Sequence, residues 1–475
     1  MLFTTVIYFL FLACSVPVYY LLPAKYRMYF LIALSAFFYM YVKTSYIFLI
    51  LFVILSNYWF GLMIARAETK KKRKMLAMLI LVINLGILVF FKYWNFLLTG
   101  LFGLLQIPYN DNSSFFLDIA LPLGLSYYIF QTIGYIADIS RGSAPPEKNI
   151  FRFSMFMLFF PKLLVGPIER ANHFLPQLYK RIYFDKENII EGGRRIAWGL
   201  FKKLVVADRI LLYQNVVFAH AEEQSGLTLL FASILYTFQV YADFSGYTDI
   251  AVGTARLFGY DLMENFRQPL LAKNVSDFWR RWHISLSSWV NDYIFNPLAL
   301  NNRHWGQWAV FYALLVSFTV IGIWHGASWN YVIFGVLQAF ALIYETITKK
   351  QRKKLSKKLP SFFYNNLSIL LTFLFVCFSL IIFRSATYQE AVAVIEGIFT
   401  NKGSFFIDTP STLLFMLMGC GVMMLYEIDK EFKIFRISLF SNKNWAIQQL
   451  SYACLIIYIL LAGVFDGGQF IYFAF

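Results

Sequence analysis

Residues 45–65, SYIFLILFVILSNYWFGLMIA, form an apolar run that contains no charged side chain. A transmembrane α-helix needs about 20 predominantly apolar residues to cross the hydrocarbon core of a bilayer. A basic cluster, KKKRK at residues 70–74, follows shortly afterwards, and such clusters are retained on the cytoplasmic side of a membrane. The stretch therefore predicts a membrane-spanning helix whose C-terminal end faces the cytoplasm.

The same pattern recurs along the chain of 475 residues, of which 59% are apolar and 14% are charged. With a mean hydropathy of +0.59, this composition predicts an all-α polytopic membrane protein rather than a water-soluble fold. The clearest predicted helices are the apolar runs at residues 2–22, 25–43, 45–65, 75–97, 117–138, 362–383, 411–428 and 446–465.

Four other apolar runs are interrupted by glycine, proline or charge, and they lie at residues 150–168, 194–218, 227–259 and 306–346. Interrupted runs are typical of tilted, kinked or re-entrant helices that line a protected cavity. We therefore expect the function to lie in this part of the chain.

Basic loops set the expected orientation. The clusters at residues 70–74 and 349–354 mark the cytoplasmic side, and counting spans from them places the N-terminus and the C-terminus outside. These loops also explain the net charge of +16. Because the charges lie in short runs rather than on one continuous basic face, nucleic-acid binding is excluded.

Metal and nucleotide motifs are missing from the sequence. The four cysteines lie far apart, and neither an H-E-x-x-H motif nor a carboxylate-rich ligand cluster occurs, so we expect no metal site. The sequence also contains no Gly-rich phosphate loop, which argues against an ATP-driven pump.

His325 is the first candidate for chemistry, because it lies in GIWHGASW (residues 322–329) at the junction of two apolar runs. An ionisable side chain within a membrane is costly unless it is used or paired. The ordinary pKa of histidine, about 6.5, suits a general base near neutral pH. The alternative, which this pattern leaves open, is a histidine that is hydrogen-bonded between helices for packing.

His283 is the second candidate and lies in WRRWHISLSSW (residues 279–289). Three tryptophans and two arginines on one short stretch are also typical of an interfacial anchor, which is the simpler interpretation. If His325 lies deeper in the membrane and further out, the two imidazoles mark the two ends of one passage. The other three histidines lie in or near loops and have no comparable setting.

Two more segments place polar groups in unusual surroundings. In YADFSGYTD (residues 241–249), Asp243 and Ser245 interrupt an apolar run, and polar groups there must either pair with each other or line water. The end of the chain, QFIYFAF (residues 469–475), has four aromatic residues, and its burial in a groove would hold the Tyr472 hydroxyl in place. The alternative for this segment is an aromatic belt at the membrane interface.

These motifs resemble those of the membrane-bound O-acyltransferase (MBOAT) family, in particular its bacterial polysaccharide-modifying branch, which includes alginate O-acetylases and D-alanyl transferases of teichoic acid. The resemblance covers nearly the whole chain and is strongest at residues 243–247, 278–285, 322–326 and 470–473. It implies a ring of about 11 transmembrane helices, with re-entrant and amphipathic helices, around a thin core pierced by a tunnel. It also implies a bacterial cytoplasmic membrane, a membrane-embedded acyltransferase domain at residues 1–468 and a C-terminal tyrosine motif at 469–475.

By this resemblance His325 and His283 are the catalytic histidines, with His283 nearer the cytoplasmic opening. We expect a cytoplasmic acyl thioester, acetyl-CoA, to donate the acyl group, and no cofactor to be bound. Tyr472 is the expected acyl relay, because a phenol is easier to deprotonate than a serine hydroxyl and its ester can pass the acyl group on. Trp324 and Trp282 are tunnel or supporting residues, as are Asp243 and Ser245.

The expected partners are an extracytoplasmic acyltransferase with a serine nucleophile and an exported polysaccharide as final acceptor. The rival hypothesis is a polytopic transporter of a glycan, a lipid or an acyl carrier, because broken helices and intramembrane charges suit transport equally well. Direct acylation of a lipid alcohol or a protein is a third possibility, which the terminal tyrosine motif disfavours.

Overall fold

The computed structural model of the chain describes residues 1–41, 43–105, 121–434 and 444–465. Within these ranges the regular structure is entirely helical, with short 3₁₀ and π segments between the α-helices. The α-helices are α1 (Val6–Leu21), α2 (Ala24–Met40), α3 (Tyr46–Arg66), α4 (Lys70–Leu88), α5 (Trp94–Leu104), α6 (Leu125–Arg141), α7 (Ile150–Leu158), α8 (Phe160–Leu163), α9 (Ala171–Phe174), α10 (Lys186–Leu200), α11 (Asp208–Ala219), α12 (Gly226–Leu257), α13 (Val275–Arg281), α14 (Ile284–Val290), α15 (Asn296–Asn301), α16 (Gln307–His325), α17 (Trp329–Ile347), α18 (Lys349–Lys358), α19 (Ser361–Arg384), α20 (Tyr388–Thr400), α21 (Pro410–Phe432) and α22 (Trp445–Ala462).

Eight helical stretches in the described residues are long and apolar enough to cross a membrane. They are Tyr46–Arg66, Lys70–Leu104, Gly226–Leu257, Gln307–His325, Trp329–Ile347, Ser361–Arg384, Pro410–Phe432 and Trp445–Ala462. The protein is therefore an all-α polytopic membrane protein, as the sequence predicts. The expected number of about 11 spans is not confirmed. Helices α1, α2 and α6 have 16 to 17 residues, or about 25 Å, which is less than the hydrocarbon thickness of about 30 Å.

The interrupted apolar runs fold in different ways. Residues 150–168 break between α7 and α8, and residues 306–346 break at the turn between α16 and α17, as predicted. In contrast, residues 227–259 contain no break before Leu257, because α12 is one continuous helix of 32 residues. Its polar side chains are accommodated by ion pairs and hydrogen bonds.

The described chain divides into two compact units. The first contains Met1–Gly193 and Ala251–Met263, and it buries a reciprocal amide pair between α3 and α4. There Asn57 Nδ2 donates to Asn84 Oδ1 at 3.1 Å, and Asn84 Nδ2 donates to Asn57 Oδ1 at 2.8 Å. Two amides in apolar helices thus satisfy each other, which holds these helices in register.

The second unit contains Arg194–Ile250 and Glu264–Phe475, and the close packing of α16 against α17 dominates it. A Cβ atom on Gly322 would lie 2.2 Å from the carbonyl oxygen of Tyr331, and one on Gly335 would lie 2.2 Å from that of Phe318. Only glycine allows the two backbones to approach so closely. This packing fixes the turn that follows α16.

Candidate functional site

His325 is the last residue of α16 and is only 4% exposed. Three aromatic rings contact its imidazole edge-to-face, with centroid distances of 4.9 Å for Trp324, 5.0 Å for Phe383 and 6.2 Å for Phe334. Edge-to-face packing has a preferred geometry, so these contacts fix the plane of the imidazole ring.

A small cavity of about 20 Å³ adjoins His325 and has room for about one water molecule. Trp282, a predicted supporting residue, lines the same cavity, so the structure brings it together with His325. Gln338 contributes a polar atom to the lining and accepts a hydrogen bond from Trp279 Nε1 at 3.1 Å.

Helix α17 gives the order of these groups along its own axis. Near its C-terminal end, which leads into the basic helix α18, Glu345 accepts hydrogen bonds from the first two N–H groups of α13 at 2.6 and 3.1 Å. About 10 Å further along the helix Gln338 meets Trp279, and about 6 Å beyond that Phe334 contacts His325. Helix α13 therefore rises beside α17, from the basic end toward His325.

His283 follows α13 and is completely buried. Its backbone lies in the left-handed region, with φ +44° and ψ +53°, immediately before α14. The Asn265 side-chain oxygen lies 3.1 Å from His283 Nδ1 and also accepts from the Ser285 N–H at 3.1 Å and the Ser285 hydroxyl at 2.8 Å. Burial lowers the pKa of His283 to about 3, so the imidazole is neutral at physiological pH. Sequence reasoning missed Asn265, because its role depends entirely on this tertiary contact.

Trp324 lies beside both predicted histidines. Its ring centroid is 5.7 Å from that of His283 and 4.9 Å from that of His325, and Phe244 packs edge-to-face on His283 at 4.7 Å. The two imidazoles thus belong to one buried aromatic cluster. His283 and its neighbour Trp282 are buried inside the protein, which disfavours a lipid-facing interfacial anchor.

Asp243 has a buried cationic partner that the sequence did not identify. The ammonium group of Lys203 lies 2.7 Å from a carboxylate oxygen of Asp243 and 2.7 Å from one of Asp208, and all three side chains are at most 4% exposed. Lys203 lies in a π-helical segment, Phe201–Ala207, between α10 and α11. Such segments are rare and occur often at functional sites.

The adjacent residue, Lys202, contacts the next part of α12. Its ammonium group donates to the Ser245 hydroxyl at 2.8 Å and lies 2.5 Å from an Asp249 carboxylate oxygen. Asp249 also pairs with Arg195, at 3.0 Å. Asp243 and Ser245 therefore have structural partners in the folded protein. The sequence signal for these partners was the pair of adjacent lysines within the interrupted apolar run at 194–218.

A larger pocket of about 300 Å³ lies beside the Lys203 and Asp243 pair. Its lining combines apolar side chains with polar ones that include Gln239, Arg384 and Glu390. Helix α12 and the end of α19 line this pocket and the small cavity beside His325, so the two spaces share the same walls.

The terminal motif with Tyr472 lies outside the described residues, as does the predicted domain boundary at 468/469. Among the residues that the structure describes, one group has the geometry to hold a metal ion, namely His220, Glu222 and Glu223. All three side chains are exposed, and none of them lines either cavity described above.

The chain matches known proteins over most of its length. A profile of the membrane-bound O-acyltransferase family matches residues 143–387, which include both histidines. The chain is 33% identical over 402 residues to a probable alginate O-acetylase (AlgI) of Pseudomonas putida, covering 84% of this chain and 80% of the relative. It is 31% identical to a peptidoglycan O-acetyltransferase of Helicobacter pylori, with 78% and 74% coverage. It is 32% identical to a teichoic acid D-alanyltransferase of Bacillus subtilis, with 56% and 70% coverage.

The family profile covers more than half of the chain, and the alginate O-acetylase relative exceeds 30% identity over most of both sequences. Together with the helical membrane fold and the buried histidines, these matches establish that the chain belongs to the membrane-bound O-acyltransferase family and is an O-acyltransferase.

Proposed function

We propose that the protein transfers an acetyl group from cytoplasmic acetyl-CoA across the membrane, toward O-acylation of an exported cell-envelope polysaccharide. The observation that carries the proposal is the position of His325, at a helix junction with a small cavity on one side and a larger pocket nearby that contains charged side chains. The relatives named as alginate O-acetylase and peptidoglycan O-acetyltransferase support acetyl as the acyl group and an envelope glycan as the acceptor.

The donor enters from the end of α17 that leads into α18. Helix α18, KKQRKKLSKK, has no buried residue and carries a dense positive charge, which favours the cytoplasmic side and attracts the phosphates of coenzyme A. From there α13 leads past Gln338 toward His283 and His325. The thioester thus reaches His325 from the cytoplasmic side.

His325 acts as the general base. Its imidazole takes the proton of the attacking hydroxyl, whose oxygen forms a bond to the acyl carbon while the bond between that carbon and sulfur breaks. The proton then passes from the imidazolium to the departing thiolate. Trp324 and Trp282, which lie beside His325 and its cavity, are candidates to donate to the developing oxyanion.

The acceptor reaches His325 from the opposite side. The pocket beside Lys203, at about 300 Å³, is at the lower end of the size range of ligand sites and is lined by amide and charged groups that suit hydroxyl-rich ligands. We propose Tyr472 as the first hydroxyl acylated, and an extracytoplasmic partner with a serine nucleophile as the next acceptor. The polysaccharide is then acylated by that partner.

Acyl transfer by the purified protein tests this function. We expect labelled acetyl-CoA to transfer its acetyl group to the chain or to an added hydroxyl acceptor, and His325→Ala to lower the rate by about 10²- to 10⁴-fold, the usual contribution of a general base. The matched control is His304→Ala, because His304 is exposed and precedes the N-terminal end of α16, whereas His325 lies at the C-terminal end of that helix. Wild-type activity in His325→Ala would refute the assignment of the base.

The same assay tests the relay and the transporter alternative. If Tyr472 carries the acetyl group, label fixed on the wild-type chain is lost in Tyr472→Phe. An undiminished yield of acylated polysaccharide in Tyr472→Phe rejects the relay but leaves the enzyme class intact. Membership of an acyltransferase family already favours catalysis over transport, and label that crosses the membrane without becoming fixed would reverse that preference.

A further inference from the structure

His283 and Asn265 form a buried hydrogen-bonded pair whose proton positions follow from simple chemistry. The side-chain oxygen of Asn265 faces three groups: the Ser285 backbone N–H, the Ser285 hydroxyl and His283 Nδ1. In addition, the backbone carbonyl of Asn265 accepts from the Ile284 N–H at 2.9 Å. One asparagine thus holds three consecutive residues of the turn that begins α14.

The Ser285 N–H fixes the orientation of the Asn265 amide. A backbone N–H can only donate a hydrogen bond, so the amide atom that it faces must be the oxygen and not the nitrogen. An oxygen cannot donate to His283. His283 Nδ1 must therefore carry the proton, and in a neutral imidazole Nε2 then carries the lone pair.

His283 Nε2 is buried and has no hydrogen-bond partner among the residues that the structure describes. A buried acceptor without a partner costs free energy, so each example in a native protein requires an explanation. The ring is packed by Phe244 and Trp324, and the backbone of His283 is held in the left-handed region. Strained backbone at such a position is a frequent mark of a functional site.

We propose that Asn265 is a positioning residue that keeps His283 protonated on Nδ1, so that Nε2 accepts a hydrogen bond from an N–H or O–H group of a bound substrate. Both substrates of an acyl transfer from acetyl-CoA offer such groups: the amides of the pantetheine arm and the hydroxyl of the acceptor. The role of Nε2 rests on the proposed function, whereas the tautomer of His283 does not.

Burial supports an acceptor role rather than a second general base. Because burial lowers the pKa of His283 to about 3, its imidazole does not take up a proton at neutral pH. His283 thus differs from His325 in role: it orients a substrate through a lone pair, while the proposed base moves the proton.

The first experiment observes the tautomer without using activity. The chain has five histidines, so nitrogen NMR of ¹⁵N-histidine-labelled protein in lipid, compared with His283→Asn, assigns the His283 signals by difference. We expect a protonated Nδ1 and an unprotonated Nε2 in the wild type, and a mixture of tautomers in Asn265→Ala. A wild-type His283 protonated on Nε2 overturns the inference, whatever the protein's activity.

The second experiment separates the two ring nitrogens by isosteric replacement. In His283→Asn the side-chain amide can still donate to the Asn265 side-chain oxygen, which preserves the hydrogen bond made by Nδ1, but no atom replaces Nε2. In His283→Gln an amide oxygen can reach the Nε2 position. We expect His283→Asn to fold and to lose about 10- to 100-fold in kcat/KM, the effect of one substrate hydrogen bond, and His283→Gln to recover part of it.

The kinetic constants identify the substrate that Nε2 contacts. A raised KM for acetyl-CoA assigns the contact to the donor's amide, and an unchanged donor KM with a lowered rate assigns it to the acceptor hydroxyl. Wild-type kinetics in His283→Asn, with His304→Asn as control, would mean that only the Nδ1 contact matters and that the lone pair has no role. If the wild-type protein shows no acyl transfer at all but His283 has the expected tautomer, the proposed function is contradicted and the inference about the tautomer is not.

Discussion

The turn that carries His325 and the turn that carries His283 are held by different interactions. The first joins two helices whose glycines allow backbone contact, and aromatic rings pack around its imidazole. The second is held by the hydrogen bonds of Asn265 and has a left-handed residue at its centre. Packing tolerates little change in volume, whereas hydrogen bonding depends on the proton positions of a few atoms. The two turns should therefore fail in different ways.

The largest expected effect comes from breaking the packed turn. In Gly322→Val a Cβ would lie 2.2 Å from the Tyr331 carbonyl oxygen, so α16 and α17 must move apart. Overpacking of this kind costs about 1 to 3 kcal/mol or more, and we expect loss of acyl transfer together with a lower melting temperature. Gly421→Val in α21 is the matched control, because a Cβ there meets no atom within 4 Å. Equal effects of both changes would show that the close contact between α16 and α17 is not the reason why Gly322→Val is damaging.

The second effect is a pH dependence that originates in the hydrogen-bonded turn. Because burial lowers the pKa of His283 to about 3, the unfolded chain binds more protons than the folded chain between pH 3 and about 6.5. Stability therefore falls as the pH drops below about 6.5, by roughly 2 kcal/mol from this residue at pH 5. We expect His283→Asn to lose less melting temperature than the wild type between pH 7 and pH 5.

His173 provides a control of opposite sign. Its pKa is raised, chiefly by a hydrogen bond to Glu169 at 2.8 Å, so its contribution to stability is present below about pH 6.5 and is lost as the pH rises through its folded pKa. His173→Asn should accordingly lose more melting temperature than the wild type on acidification. If both variants lose more melting temperature than the wild type on acidification, the buried neutral state of His283 is wrong.

The smallest expected effect comes from Ser285→Ala. This change removes one hydroxyl donor to Asn265 but leaves the Ser285 N–H and the His283 contact in place. We expect a loss of about 1 kcal/mol in the free energy of unfolding and little change in the NMR signals of His283. A large change in the tautomer would mean that the hydroxyl, rather than the backbone N–H, orients the amide of Asn265.

The difference between the two turns also explains what the sequence could predict. A histidine between glycines at the junction of two apolar runs is a local pattern, so His325 and its helix end were predictable from nearby residues. The hydrogen bond that holds His283 depends on Asn265, which is 18 residues earlier in the chain and carries no local sequence signal. The ion pairs of Asp243 depend on a π-helical segment, whose altered helical register does not follow from the hydrophobic pattern.

Among the helices, too, the features set by local sequence were predictable and those set by distant partners were not. Long apolar runs correspond closely to α3, α19, α21 and α22, because membrane thickness dictates their length. Residues 227–259 do not form a re-entrant helix, because lysines from a neighbouring segment pair with the acids of the continuous helix α12, and sequence spacing does not reveal such partners. The Tyr472 motif remains a prediction from the sequence.

The central claim is that a cytoplasmic thioester meets His325 inside the membrane, and an experimental structure with a non-reactive thioether analogue of acetyl-CoA tests it most directly. We predict that the acyl end of the analogue lies against the His325 imidazole, with the pantetheine arm leading past His283 toward α18. An analogue bound with its acyl end away from the turn between α16 and α17 would contradict the claim.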